Sequence, residues 1–112
     1  MIFLTSNPEI DHEIALAELG PDAVGPFPDQ VGLYHMAWEL ADIDELKDAY
    51  QVVLDNKVDV AGFGDHGETK GLYIRDPDGI EMELYAYAPE FKKTPLEEIL
   101  TGGSREVATA SK

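Results

Sequence analysis

The run from Arg75 to Tyr87, RDPDGIEMELYAY, passes from a four-residue turn straight into an unbroken alternation. A period of two is the signature of a pleated strand, so Ile80, Met82, Leu84 and Ala86 fall on one face. Glu81, Glu83, Tyr85 and Tyr87 fall on the other. In a helix, at 3.6 residues per turn, the same residues would scatter around the axis. The turn Asp76-Pro77-Asp78-Gly79 places Pro second and Gly fourth, where a tight turn wants them. A hairpin of Gly71–Arg75 with Ile80–Ala88 is therefore predicted. One face of its second strand is apolar and must be covered, while the other gathers two carboxylates and two phenols.

The neighbouring sequence says what covers the apolar face. Val31–Ala41 alternates as a strand, with Tyr34, Met36, Trp38 and Leu40 on a bulky side that we expect in the core. Leu33, His35, Ala37 and Glu39 take the opposite side. Asp42–Asn56 reads as a helix: Asp42 and Glu45 form a capping box, and Ile43, Leu46, Tyr50 and Val53 recur at helical spacing. Lys57–Phe63 is a second strand, and GFGDHGETKG (62–71) reads as a glycine-rich loop. From residue 31 to residue 88 the order is strand, helix, strand, strand, strand, an α+β arrangement. If the helix packs on the bulky side, the other side lines a concavity holding His35, Tyr73, Glu81, Glu83, Tyr85 and Tyr87.

Upstream, Met1–Thr5 and Glu9–Leu19 form a hairpin around Ser6-Asn7-Pro8, with Ile10, His12, Ile14 and Leu16 sharing a face. Gly20–Gln30 holds two Gly and three Pro and acts as a connector. Pro95–Leu100 is expected as a short helix, and the tail from Thr101 as disordered. The expected boundaries are one domain over 1–91 (hairpin 1–19, connector 20–30, complete module 31–88) and a helix and tail over 92–112.

Charge bounds the partners. Eight basic and 23 acidic residues leave a net charge of −15, which repels phosphate backbones and anionic lipid, so nucleic-acid and membrane partners are not expected. The acidity suits either a highly solvated surface or a cationic ligand. With no cysteine there are neither disulfides nor thiolate metal sites. No apolar run approaches the roughly 20 residues of a membrane span, and a cytoplasmic location is expected.

The segments GLYHMAWELADIDELKDAY, DHG and LYIRDPDGIEMELY, in this order of elements, resemble the vicinal oxygen chelate superfamily. Its members include glyoxalase I, extradiol ring-cleaving dioxygenases, fosfomycin-resistance enzymes and bleomycin-binding proteins. The resemblance covers roughly residues 1 to 90 and is nearest to the extradiol dioxygenases. It implies a βαβββ module with a concave mixed sheet, preceded by a hairpin remnant of a second module. It further implies that His35 and Glu83 are metal ligands, Tyr73 a substrate-facing tyrosine, and His12 and His66 catalytic histidines. Glu81, Tyr85 and Tyr87 would line the substrate site. Fe(II) is the implied metal, with Zn, Mn or Ni as alternatives, and the substrate an aromatic diol.

Two imidazoles and one carboxylate on one face of Fe(II) leave positions for dioxygen and both oxygens of a chelating diol. Sites of this superfamily draw on two modules, and only one is complete here. Three readings stay open: His12 itself is the third ligand, a second chain completes the site as a homodimer, or the chain is a truncated, inactive relative. A metal-free drug-binding protein and a glyoxalase-like isomerase or thiol transferase are the alternative functions.

Overall fold

A computed structural model describes residues 1–102 of the chain. Strands β3 (Met36–Glu39), β4 (Asp59–His66), β5 (Thr69–Arg75) and β6 (Glu81–Tyr87) build one sheet in the order β3-β6-β5-β4. β3 and β6 run parallel, and the other two pairings are antiparallel. Helix α1 (Ile43–Asp55) connects β3 to β4. The mixed four-stranded sheet with one helix is the expected α+β module. Strands β1 (Ile2–Leu4) and β2 (Ile14–Leu16) pair separately as a small antiparallel hairpin.

The capping box forms, with a reach one residue further back than the simplest version. The Asp42 side chain accepts from the Glu45 N–H at 2.9 Å, and Glu45 Oε1 accepts from the Ala41 N–H at 2.8 Å. The Glu45 N–H, a donor that helical geometry leaves orphaned, is thereby satisfied, and the Ala41 N–H just ahead of the cap is tied down as well. The apolar stripe of α1 then meets the sheet: Ile43, Leu46 and Val53 are buried with Leu72, Ala86 and Ala88, and Tyr50 packs on Phe63. After β6 the chain makes a short 3₁₀ turn, Pro89–Phe91, and a wide helical turn, Glu98–Gly102, between which Leu96 is fully buried in the same core.

Alternation settles which side chains stand beneath the helix. Lys70, Leu72 and Ile74 of β5 point that way, as do Met82, Leu84 and Ala86 of β6. Lys70 is an unusual member, with only 1% of its surface exposed. Its Nζ donates to Asp65 Oδ1 at 2.8 Å, and the same oxygen accepts from the Leu96 N–H at 2.9 Å. Burial alone would raise the Asp65 pKa, but the Lys70 ammonium and the Leu96 amide outweigh it and hold the carboxyl below its ordinary value.

Five expectations are corrected. Tyr34 is not core: β3 begins only at Met36, so the alternation does not extend back to residue 34, and Tyr34 is 80% exposed. Met36 and Trp38 are half-buried and stand outside the main cluster, because α1 lies over β6 and not over the edge strand β3. Trp38 instead borders a hollow of about 210 Å³ shared with Leu4, Ser6 and Ile14 of the hairpin.

The supposed loop 62–71 is mostly strand, since β4 and β5 continue to His66 and Thr69 and leave a two-residue turn. Gly67 takes φ 70° there, a conformation glycine adopts without strain. Residues 9–13 are not strand, so His12 precedes β2. Thr101 and Gly102 belong to the last helical turn, and the rest of the expected disordered tail lies outside the described residues. Among the described residues no helix is long and apolar enough to cross a membrane.

Candidate metal and substrate site

On the face of the sheet away from α1, register brings the predicted groups together. Ala37 pairs with Glu83 across β3 and β6, which places His35, two residues earlier, beside the same carboxylate. Tyr73 of β5 is the direct partner of Glu83 on the other side. His35 Nε2 lies 3.5 Å from Glu83 Oε1. That is longer than a good N–H···O hydrogen bond, roughly 2.7–3.2 Å. It is within reach of two donors that each hold one ion at about 2.1 Å. The other ring nitrogen, Nδ1, is buried and has no hydrogen-bond partner among the described residues.

Glu83 is 8% exposed. A carboxylate that buried normally has a cation or several donors around it, yet among the described residues its one ion-pairing neighbour is His35. Space for it comes from β5: a Cβ on Gly71 would overlap the Glu83 carboxylate. Gly64 does the same for Tyr73, whose ring edge would stand 2.8 Å from a Cβ at that position. Glycine within strands marks a close approach here, and not a loop.

Tyr73 is the hub of the polar face. Its ring meets His35 edge-on at 5.5 Å, and its hydroxyl lies 3.4 Å from His66 Nε2. Burial first, and then the charge of Glu83 beside it, raise the phenol above its ordinary pKa. Tyr73 therefore stays protonated at neutral pH and is available as a donor. Tyr34, outside the strand, packs its ring edge on His35 at 4.6 Å. A hollow of about 290 Å³ opens between Tyr34, Gly62, His66, Tyr73, Arg75 and Glu81. Tyr34 and Tyr73 join it to the His35–Glu83 pair.

His35, Glu83, Tyr73 and His66 thus form one contiguous group, with Glu81 at its edge, 3.9 Å from the Arg75 guanidinium. Tyr85 sits on the same strand face opposite Gly71. Tyr87 is carried away from the group: it is 57% exposed at the far end of β6, and its hydroxyl donates to Glu68 at 2.6 Å. His12 stays with the hairpin, where Nδ1 meets Asp11 at 2.6 Å and the ring leans on Phe3. Among the described residues no three His, Asp or Glu side chains converge as a metal cluster, so His12 is not brought to His35 and Glu83 within one chain. Sequence reasoning missed Tyr34, Gly64 and Gly71; the repeated glycines were the available signal.

A family profile described as "Glyoxalase/Bleomycin resistance protein/Dioxygenase superfamily" matches residues 1–84. Catechol-2,3-dioxygenase of Bacillus subtilis is 38% identical over 77 residues, covering 68% of this chain and 27% of that protein. Biphenyl-2,3-diol 1,2-dioxygenase 3 of Rhodococcus globerulus is 38% identical over 87 residues, 75% of this chain and 44% of the relative. The chain thus spans less than half the length of these relatives. Among solved structures, a glyoxalase/dioxygenase from Nostoc punctiforme aligns with a TM-score of 0.49 at 27% identity, over 61% of this chain and 49% of that one.

Proposed function

Because the chain belongs to the glyoxalase/bleomycin resistance/dioxygenase superfamily, we propose that it is a metal-dependent protein of the extradiol dioxygenase type, acting on a catechol-like diol. The 3.5 Å approach of His35 Nε2 to Glu83 Oε1 carries the reading. An imidazole and a buried carboxylate that also accepts from the Tyr73 hydroxyl, side by side, are two of the three protein donors of a facial triad. A bound Fe(II) would supply a Lewis acid that makes a chelated diol easier to deprotonate and brings dioxygen next to it.

The chain's own side chains do the rest. Glu83 and His35 fix the position of the ion, and Gly71 keeps the carboxylate where it is. Tyr73 donates a hydrogen bond from a phenol that stays neutral. His66, within 3.4 Å of that phenol, takes up or returns a proton at Nε2, a role neutral imidazole performs well near pH 7. Glu81 and Tyr85 border the ring of the diol.

His12 is the candidate for the third donor or for a further acid–base group, and a second copy of the chain is its natural source. The hairpin leaves Ile2, Phe3, Leu4 and Leu16 about half exposed. In a homodimer that surface is covered and the site is closed by Met1–Leu19 of one chain or the other. Light scattering on the purified protein checks this, and a stable monomer contradicts it.

Elemental analysis after anaerobic purification tests the main reading. Iron near one per chain is expected, lost in Glu83→Ala, together with a yellow ring-fission product from catechol. Zinc, manganese or nickel in its place would point to a glyoxalase-like reaction. A second reading rests on the clustering of Glu81, Glu83, Tyr34 and Tyr73 in a strongly acidic chain: a metal-free pocket for a cationic aromatic drug. Thermal stabilisation by bleomycin that persists in EDTA, with no bound metal, would replace the first reading by the second.

A further inference from the structure

A histidine that ligates a metal almost always donates its second ring N–H to a carboxylate, a carbonyl or a water. That bond fixes the orientation and the tautomer of the ring. Nδ1 of His35 is buried with no such partner among the described residues. Strand pairing does not fix the ring either, because β3 begins one residue later, at Met36. Two side-chain torsions are left for packing to set. A half-turn about the second would put a ring carbon, Cε1, where Nε2 now faces Glu83 Oε1 at 3.5 Å.

Two tyrosine rings lie against this imidazole. Tyr34 and Tyr73 both meet it in T-shaped geometry, with centroids 4.6 and 5.5 Å away and planes inclined by 61° and 81°. Such contacts are a favoured arrangement of aromatic pairs, since the positive edge of one ring meets the negative face of the other. Tyr73 is itself fixed, by its place in β5, by its close approach to Gly64 and by its hydroxyl near His66. Tyr34 is the contrast. It belongs to no strand and is 80% exposed, so core packing gives no account of a large ring at that position. Contact with His35 does.

We infer that Tyr34 is a positioning residue for the metal site: with Tyr73 it clamps the His35 imidazole between two rings and keeps Nε2 turned to Glu83 without a hydrogen bond at Nδ1. This rests on the reading of His35 as a metal ligand given above. Tyr34 acts through His35 and does not itself hold the ion. Its ring is what matters, and its hydroxyl is dispensable. One jaw of the clamp is built into the sheet, and the other comes from the segment that leads into β3.

Two measurements on the full chain test this, the first of them without metal. Ring-nitrogen NMR of the metal-free protein, with the His35 signals assigned by their loss in His35→Gln, should show one sharp set in wild type. Tyr34→Ala should broaden or split that set, and Tyr34→Phe, which keeps the ring, should leave it sharp. The second is calorimetric titration with Zn(II), counting only the binding that Glu83→Ala loses. Tyr34→Ala should bind about tenfold more weakly, the scale of a lost second contact to a ligating histidine, and Tyr34→Phe as wild type does. The truncated side chain is largely exposed, so the variants are expected to fold. If Tyr34→Ala binds Zn(II) as tightly as wild type, the inference fails while the metal site stands. If Tyr34→Phe is impaired as far as Tyr34→Ala, the hydroxyl and not the ring is at work, and the inference fails again. If the His35 signals loosen in Tyr34→Ala but wild type binds no more Zn(II) than Glu83→Ala, the clamp holds and the metal reading falls.

Discussion

The N-terminal third and the module that follows it have similar shares of apolar residues and use them in opposite ways. In the module, Leu46, Leu72, Ala86, Ala88 and Leu96 have no exposed surface, sealed between α1, the sheet and the C-terminal turns. In the first 34 residues, Met1, Leu19, Val24, Val31 and Tyr34 are each more than three-quarters exposed. Two strands of three residues cannot bury a core against each other. A helix laid on a four-stranded sheet can. Apolar content alone therefore says nothing of where a chain is finished. What matters is whether an element has a second layer to lie against.

The sharpest test of the contrast is truncation on each side of it. Leu46→Ala should lower stability by about 2–5 kcal/mol in urea unfolding, as for other fully buried leucines. Phe3→Ala, at a half-exposed position, should change it by about 0.5 kcal/mol or less. A comparable loss in both would mean that the hairpin is sealed after all, by a partner chain. Next in size, Asp65→Ala strands the Lys70 ammonium in the core, an expected loss of about 2 kcal/mol. The pH dependence has a fixed direction. Asp65 binds a proton less readily folded than unfolded, so its contribution is present at neutral pH. It fades as the pH falls below about 4, through the carboxylate range. A wild-type stability that falls no faster in acid than that of Asp65→Ala would contradict the pairing.

Gly71→Ala is expected to remove about 1–2 kcal/mol by crowding Glu83. Its larger effect is on the site: metal content should fall as far as in Glu83→Ala while the far-ultraviolet circular dichroism stays unchanged. Among the expected losses within the module the smallest is Asp42→Ala, about 1 kcal/mol through the lost helix cap. It should leave ligand binding alone, since α1 lies on the other side of the sheet from the polar group.

The sequence was most legible where one residue type has one structural use. The alternation from Ile80 to Tyr87, the Asp-Pro-Asp-Gly turn and the Asp42–Glu45 box each read correctly because period, turn geometry and capping are local. His35, Tyr73 and Glu83 fell on one face for the same reason. The glycines at 62, 64 and 71 misled, because glycine weakens a strand and its frequency suggested a loop. Gly64 and Gly71 make room for Tyr73 and Glu83, a demand set by the neighbouring strand. Tyr34 was placed in the core by extending an alternation two residues past the point where pairing begins. The burial of Lys70 was invisible, since its acceptor lies across a turn and that acceptor is itself held from residue 96.

That same carboxylate has a further effect. Asp65 grips the segment leading to the last helical turn on one side of the sheet, and the next residue along the strand, His66, reaches Tyr73 on the other. A single peptide unit is all that lies between the C-terminal clasp and the polar hollow. A fluorophore attached near Glu97 would sit at the end of a short rigid lever, well placed to report events at a face it never touches.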